Sequence, residues 1–178
     1  RGTERDYIEQ AIASGVKILG FSDHTPNPYS WNINDGIRML PEQTQEYFNT
    51  LSDLKKEYEN QIEIHVGVEV EYIPGELDKL IAYLKDYGCE YLIMGQHWVG
   101  NEQNEPYTGR PTADESLLKR YCRQVMEGLD TGAFTYLAHP DLIHFVGEPG
   151  IYRRHMKQLC RYARQAEIPL ELNLLGMR

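Results

Sequence analysis

The chain has 178 residues, of which 41% are hydrophobic and 25% charged, which suits one globular domain with one core and excludes a disordered chain. Its net charge is −9 and no run of lysine and arginine interrupts that balance. A nucleic-acid backbone therefore meets no electrostatic footprint, and a phosphorylated ligand is repelled unless cations reverse the field locally.

Helical and strand periods alternate along the chain. A first helix is expected over about residues 3–14, closed by Gly15, followed by an apolar strand over 16–21. A long connection over 25–40 carries Tyr29, Trp31 and Arg38. The second helix enters through Pro41 and shows Tyr47, Leu51, Leu54 and Tyr58 on one face. A strand over 62–72 precedes a third helix with Leu77, Leu80, Ile81 and Leu84, and another strand covers 91–99. A second long connection over 98–112 carries Tyr107 and Arg110. Thr112 and Glu115 read as a capping box opening a fourth helix, whose apolar face is Leu118, Tyr121, Cys122, Val125 and Leu129. A strand over 135–139, a helix over about 151–165 and a strand over 169–174 complete the series.

The strands are near-continuous apolar runs, as parallel strands covered on both faces require, and the alternation implies βαβ units and an α/β fold. The expected organisation is one domain over 1–178 with about five strands and five helices. Opening on a helix and closing on a strand, it reads as a barrel incomplete at both ends and as part of a longer polypeptide. No run is apolar over a membrane-spanning length and no signal peptide is evident. Cys89, Cys122 and Cys160 form no CxxC pair, which fits a reducing cytoplasm and buried, small apolar roles.

Four good metal ligands share one topological address, the carboxyl end of a strand: His24, Glu69, His97 and His139. One histidine at a strand end is usually structural, but three of the six histidines recur there in separate βα units, which favours shared metal binding. A carboxylate among apolar neighbours is costly unless paired, and in Gly67-Val68-Glu69-Val70-Glu71 either glutamate fits a cation site. Glu69 is favoured as ligand, with Glu71, of the same pleat parity, as its supporting partner. His65, His144 and His155 are expected to be structural or exposed. No phosphate-cradling GxxxxGKS/T, GxGxxG, GxSxG or HExxH occurs, which leaves metal-assisted hydrolysis as the leading chemistry.

Gly20-Phe21-Ser22-Asp23-His24, Val66 to Gly75, Gly95-Gln96-His97, Ala138-His139-Pro140-Asp141 and Glu171-Leu172-Asn173 resemble, in that order, motifs of the polymerase-and-histidinol-phosphatase (PHP) family. The resemblance implies a distorted (β/α)7 TIM-like barrel holding two or three divalent ions, zinc, iron or manganese. His24, Glu69, His97 and His139 fall on its metal-ligand positions, Glu69 bridging two ions, with His97 and His139 catalytic through metal-bound hydroxide. Arg178 resembles an arginine that reaches the phosphate, and Arg38 is a second candidate. The family's opening His-x-His and closing Asp-x-His motifs do not occur in the sequence. The implied activity is hydrolysis of a small phosphomonoester, foremost L-histidinol phosphate in histidine biosynthesis, with neither nucleic acid nor membrane as partner. Two alternatives stay open: a related phosphoesterase acting on another small phosphomonoester, a phosphotyrosine or a nucleic-acid end, and a non-catalytic interaction domain.

Overall fold

Helix α1 (Glu4–Ala13) begins where Thr3 and Asp6 cap each other. The Asp6 N–H donates to Thr3 Oγ1 and the Thr3 N–H to Asp6 Oδ2 at 2.7 Å. Gly15, at φ 78°, stops the helix in a conformation that other residues rarely adopt. The computed structural model describes residues 2–26, 37–101 and 107–173. They separate into two compact units, Arg1–Val68 with Lys79–Tyr91, and Glu69–Asp78 with Leu92–Arg178. Strand β1 (Ile18–His24), a 3-10 turn at Pro41–Gln43, α2 (Thr44–Glu57), β2 (Glu63–Val70), α3 (Leu77–Lys85), β3 (Tyr91–Met94), α4 (Glu115–Asp130) and α5 (Pro149–Gln165) follow in chain order. The fold is α/β, with a parallel sheet in the order β1-β2-β3.

The first unit is organised around α2 and the body of β2. Phe48, Leu51 and Leu54 of α2 are buried, as are Ile64, Val66 and Val68 of β2. Two tyrosines tie the backbone. Tyr47 Oη donates to the Gly67 carbonyl at 2.9 Å and accepts from the Asp23 N–H, the residue before His24. Tyr91 Oη donates to the Phe21 carbonyl at 2.8 Å. β1 departs from the expectation of strands covered on both faces: it ends the sheet order, and Ile18 is 61% exposed.

In the second unit the pairing continues from β3 through two parallel bridges, Met94 with Leu137 and Leu137 with Leu170. The expected strands 135–139 and 169–174 are thus paired backbone without being extended ladders, and three strands occur among the described residues. Pro169 has no N–H to offer a longer ladder, and His139 turns out of the extended region at φ 29°. β2 and β3 are also shorter than their apolar runs. The buried Gln96 side chain replaces ladder bonds beyond Val70 and Met94, accepting from the Tyr72 N–H at 3.1 Å and donating to the Trp98 carbonyl at 2.6 Å.

α4 and α5 pack against each other, and Leu118, Tyr121 and Val125 of α4 and Leu159 of α5 are buried. The capping box expected of Thr112 and Glu115 does not form. Asp114 caps α4, accepting from the Ser116 N–H at 2.8 Å, and Thr112 Oγ1 accepts from the Asp114 N–H. Glu115 turns instead to Arg154 and to His155 Nε2, at 2.7 and 3.0 Å. His155 is therefore one of the structural histidines, packed at 9% exposure. Of the cysteines, Cys122 is buried and its thiol is pushed up to about 12 by that burial, whereas Cys160 is exposed and does not fill an apolar role. No helix among the described residues is long and apolar enough to cross a membrane.

Candidate metal centre

Three of the expected ligands meet inside the second unit. Glu69, near the end of β2, places Oε1 2.9 Å from His139 Nε2 and 3.4 Å from His97 Nε2. All three side chains are largely withdrawn from solvent, at 13%, 15% and 16% exposure for Glu69, His97 and His139. The two imidazole centroids lie 5.0 Å apart. On the other side of His97, Glu71 Oε1 is 3.0 Å from Nδ1, and that carboxylate is almost wholly buried. Glu69 of β2 and Glu71 just beyond its end thus contact His97 through different ring nitrogens, with Glu69 shared between both histidines.

Both histidines are held by their surroundings. The Thr108 hydroxyl donates to the His97 carbonyl at 2.8 Å, the Thr108 N–H donates to the same oxygen, and the Tyr107 ring lies parallel to the His97 ring with centroids 6.5 Å apart. The second long connection therefore supports His97 through Tyr107 and Thr108. His139 sits in a strained left-handed conformation, and its N–H donates to Glu171 Oε2 at 2.7 Å. Strain of this kind persists only where surrounding contacts demand it, and it clusters at functional sites. Burial draws the His139 pKa down, but the hydrogen bond and charge of Glu69 and the charge of Glu171 outweigh it, leaving the imidazole above its ordinary value.

The donor set fits a divalent cation. It offers imidazole nitrogens and carboxylate oxygens, the mixture that suits zinc, iron or manganese. His139 Nδ1 is buried with no hydrogen-bond partner among the described residues, a costly position for a polar atom that lacks a ligand. Of the other expected residues, His24 closes β1 in the first unit, half-buried, with its N–H donating to Asp23 Oδ1 at 2.8 Å. Arg38 is half-buried in the same unit. Arg178, Tyr29 and Trp31 lie outside the described residues. Sequence reasoning gave no role to Glu171, Gln96 or Tyr107. Glu171 stood in a recognised motif, but nothing local pointed its carboxylate at the His139 backbone.

The PHP domain model matches residues 2–174, nearly the whole chain. The chain belongs to the PHP family. Among its PHP relatives, the histidinol-phosphatase of Bacillus subtilis (strain 168) is 34% identical over 108 residues, covering 57% of this chain and 40% of that protein. A "Probable histidinol-phosphatase" of Deinococcus radiodurans is 26% identical over 145 residues, 79% of this chain and 55% of its own length. The chain thus spans about half, or less, of the curated relatives it matches. Among solved structures, the histidinol phosphate phosphatase of Lactococcus lactis subsp. lactis, complexed with zinc, L-histidinol and phosphate, aligns with a TM-score of 0.71 at 17% identity. That alignment covers 97% of this chain and 67% of the other, and it establishes a shared fold.

Proposed function

We propose that this PHP chain is the core of a metal-dependent phosphomonoesterase with a TIM-like barrel, acting on L-histidinol phosphate. The observation that carries the proposal is Glu69 Oε1 set between His97 Nε2 and His139 Nε2, with Glu71 behind His97. Glu69, His97 and His139 are the ligands of two or three divalent ions, and His24 joins them on the strength of its strand-end motif. Bound cations supply positive charge against the phosphoryl oxygens and lower the pKa of water toward neutrality. Glu71, by accepting from His97 Nδ1–H, holds that ring in the tautomer whose Nε2 lone pair faces the site. Glu171 holds the His139 backbone in place by accepting from its N–H. Carboxylates so placed let a chain of net charge −9 collect cations and thereby admit an anionic substrate. Arg178 and Arg38 are the proposed phosphate contacts, since a guanidinium engages two phosphate oxygens in a fixed geometry. The relatives named for histidinol phosphatase support the choice of substrate.

One experiment tests both halves. The intact protein should carry more than one transition-metal ion per chain by elemental analysis. Its turnover efficiency should be higher on histidinol phosphate than on p-nitrophenyl phosphate or a phosphotyrosine peptide. No metal, even after adding manganese or zinc, would remove the metal centre and leave a non-catalytic domain. Equal efficiency on all three substrates would remove only the histidinol phosphate assignment.

A pH titration supplies an independent check. Protons and cations compete for the same ring nitrogens, and the His139 pKa is raised by Glu69 and Glu171 against the pull of burial. Zinc affinity should therefore begin to fall, as pH is lowered, at a higher pH than an unperturbed imidazole would set. A zinc titration across a pH series reads that onset directly.

A further inference from the structure

We propose that Gly95 is a positioning residue whose missing side chain is the space that the Glu69 carboxylate occupies. A Cβ built on Gly95 would lie 1.9 Å from Glu69 Oε1, 2.6 Å from its carboxyl carbon and 2.8 Å from Cγ. Real side chains never approach so closely, so either Gly95 stays bare or the whole outer half of Glu69 moves. The backbone does not ask for glycine here: Gly95 has no positive φ, and its N–H makes an ordinary bond to the Val70 carbonyl at 3.0 Å. The requirement is for space alone. Glu69 cannot yield that space without cost, because the atom met first, Oε1, is the one shared by His139 at 2.9 Å and His97 at 3.4 Å. Any methyl group at position 95 pushes the carboxylate away from both imidazoles at once. Gly95 lies two residues before His97, so the same short segment delivers one ligand and clears the room for another.

The inference rests on Glu69 being a ligand, and a double-mutant cycle keeps the two ideas apart. Gly95→Ala, Glu69→Ala and the double variant would be compared with wild type by thermal melting and by zinc titration of the metal-stripped protein. Gly95→Ala should weaken zinc binding about tenfold or more, the range seen when a ligand loses its support. It should also lower the melting temperature in the wild-type background and leave it nearly unchanged when Glu69 is already alanine, because the clashing atoms are gone. Should Gly95→Ala fail to fold, recovery of folding in the double variant supports the proposal equally well, and failure of both overturns it. An equal melting shift in the two backgrounds, or wild-type zinc affinity in Gly95→Ala, also overturns it. Wild-type protein that binds no zinc, with the melting cycle still coupled, would instead remove the metal reading and leave Gly95 as the packing partner of Glu69.

Discussion

His97→Ala should cut phosphatase turnover by about a thousandfold or more while the chain still folds. His97 lies between Glu69 and Glu71 in the second unit, with Nε2 toward Glu69 and Nδ1 against Glu71. On the proposed function, losing it would remove a cation ligand and, with it, several kcal/mol of charge stabilisation at the phosphoryl group. A buried carboxylate, Glu71, also loses a hydrogen-bond partner, so stability should fall by about 1–3 kcal/mol. That second effect calls for a control of comparable stability cost placed elsewhere. His155→Ala provides one, since His155 is packed on α5 and bonded to Glu115 at 3.0 Å. The two variants should melt earlier by similar margins, and turnover at a temperature where both are folded should collapse in His97→Ala alone. Parallel losses of turnover in both would make His97 a structural histidine.

Leu137→Ala should give the largest loss of stability, about 2–5 kcal/mol in a urea titration. Leu137 is fully buried and sits at the crossing point of the second unit's pairing, bridged to Met94 on one side and Leu170 on the other. Its N–H donates to the Pro169 carbonyl at 3.0 Å and its carbonyl accepts from the Glu171 N–H at 2.9 Å. With bridges on both sides the backbone has little freedom to close over a cavity, which puts the cost toward the upper part of the range. A loss below about 1 kcal/mol would mean that the unit relaxes around position 137 and that its two bridges are not cooperative. Because the next residue but one is His139, loosening here should also lower metal affinity, and the same zinc titration would register it.

The alternation of helical and strand periods and the two ends of α1 were legible in the chain because each depends on neighbours a few residues away. Thr3 and Asp6 cap α1 across three residues, and Gly15 stops it by its own φ. His24, Glu69, His97 and His139 stand out for the same reason, as polar residues closing apolar runs. What brings Glu69, His97 and His139 together is not local. Glu69 and His139 meet across 70 residues, Glu171 reaches the His139 N–H across 32, and Gln96 takes the Tyr72 N–H across 24. Nothing in pleat parity separates Glu69 from Glu71, since both point to the same face; only the positions of the His97 ring nitrogens divide their tasks. The same cause misplaced the strand ends and one cap. Gln96 satisfies backbone groups that an apolar run alone would hand to a ladder, and Glu115 leaves its own helix start for α5 because Arg154 and His155 lie within reach. Gly95 shows the limit most sharply: a glycine with an ordinary backbone carries no signal in the chain, and the Glu69 carboxylate that forbids any larger residue is brought to it only by the folded pairing of Gly95 with Val70.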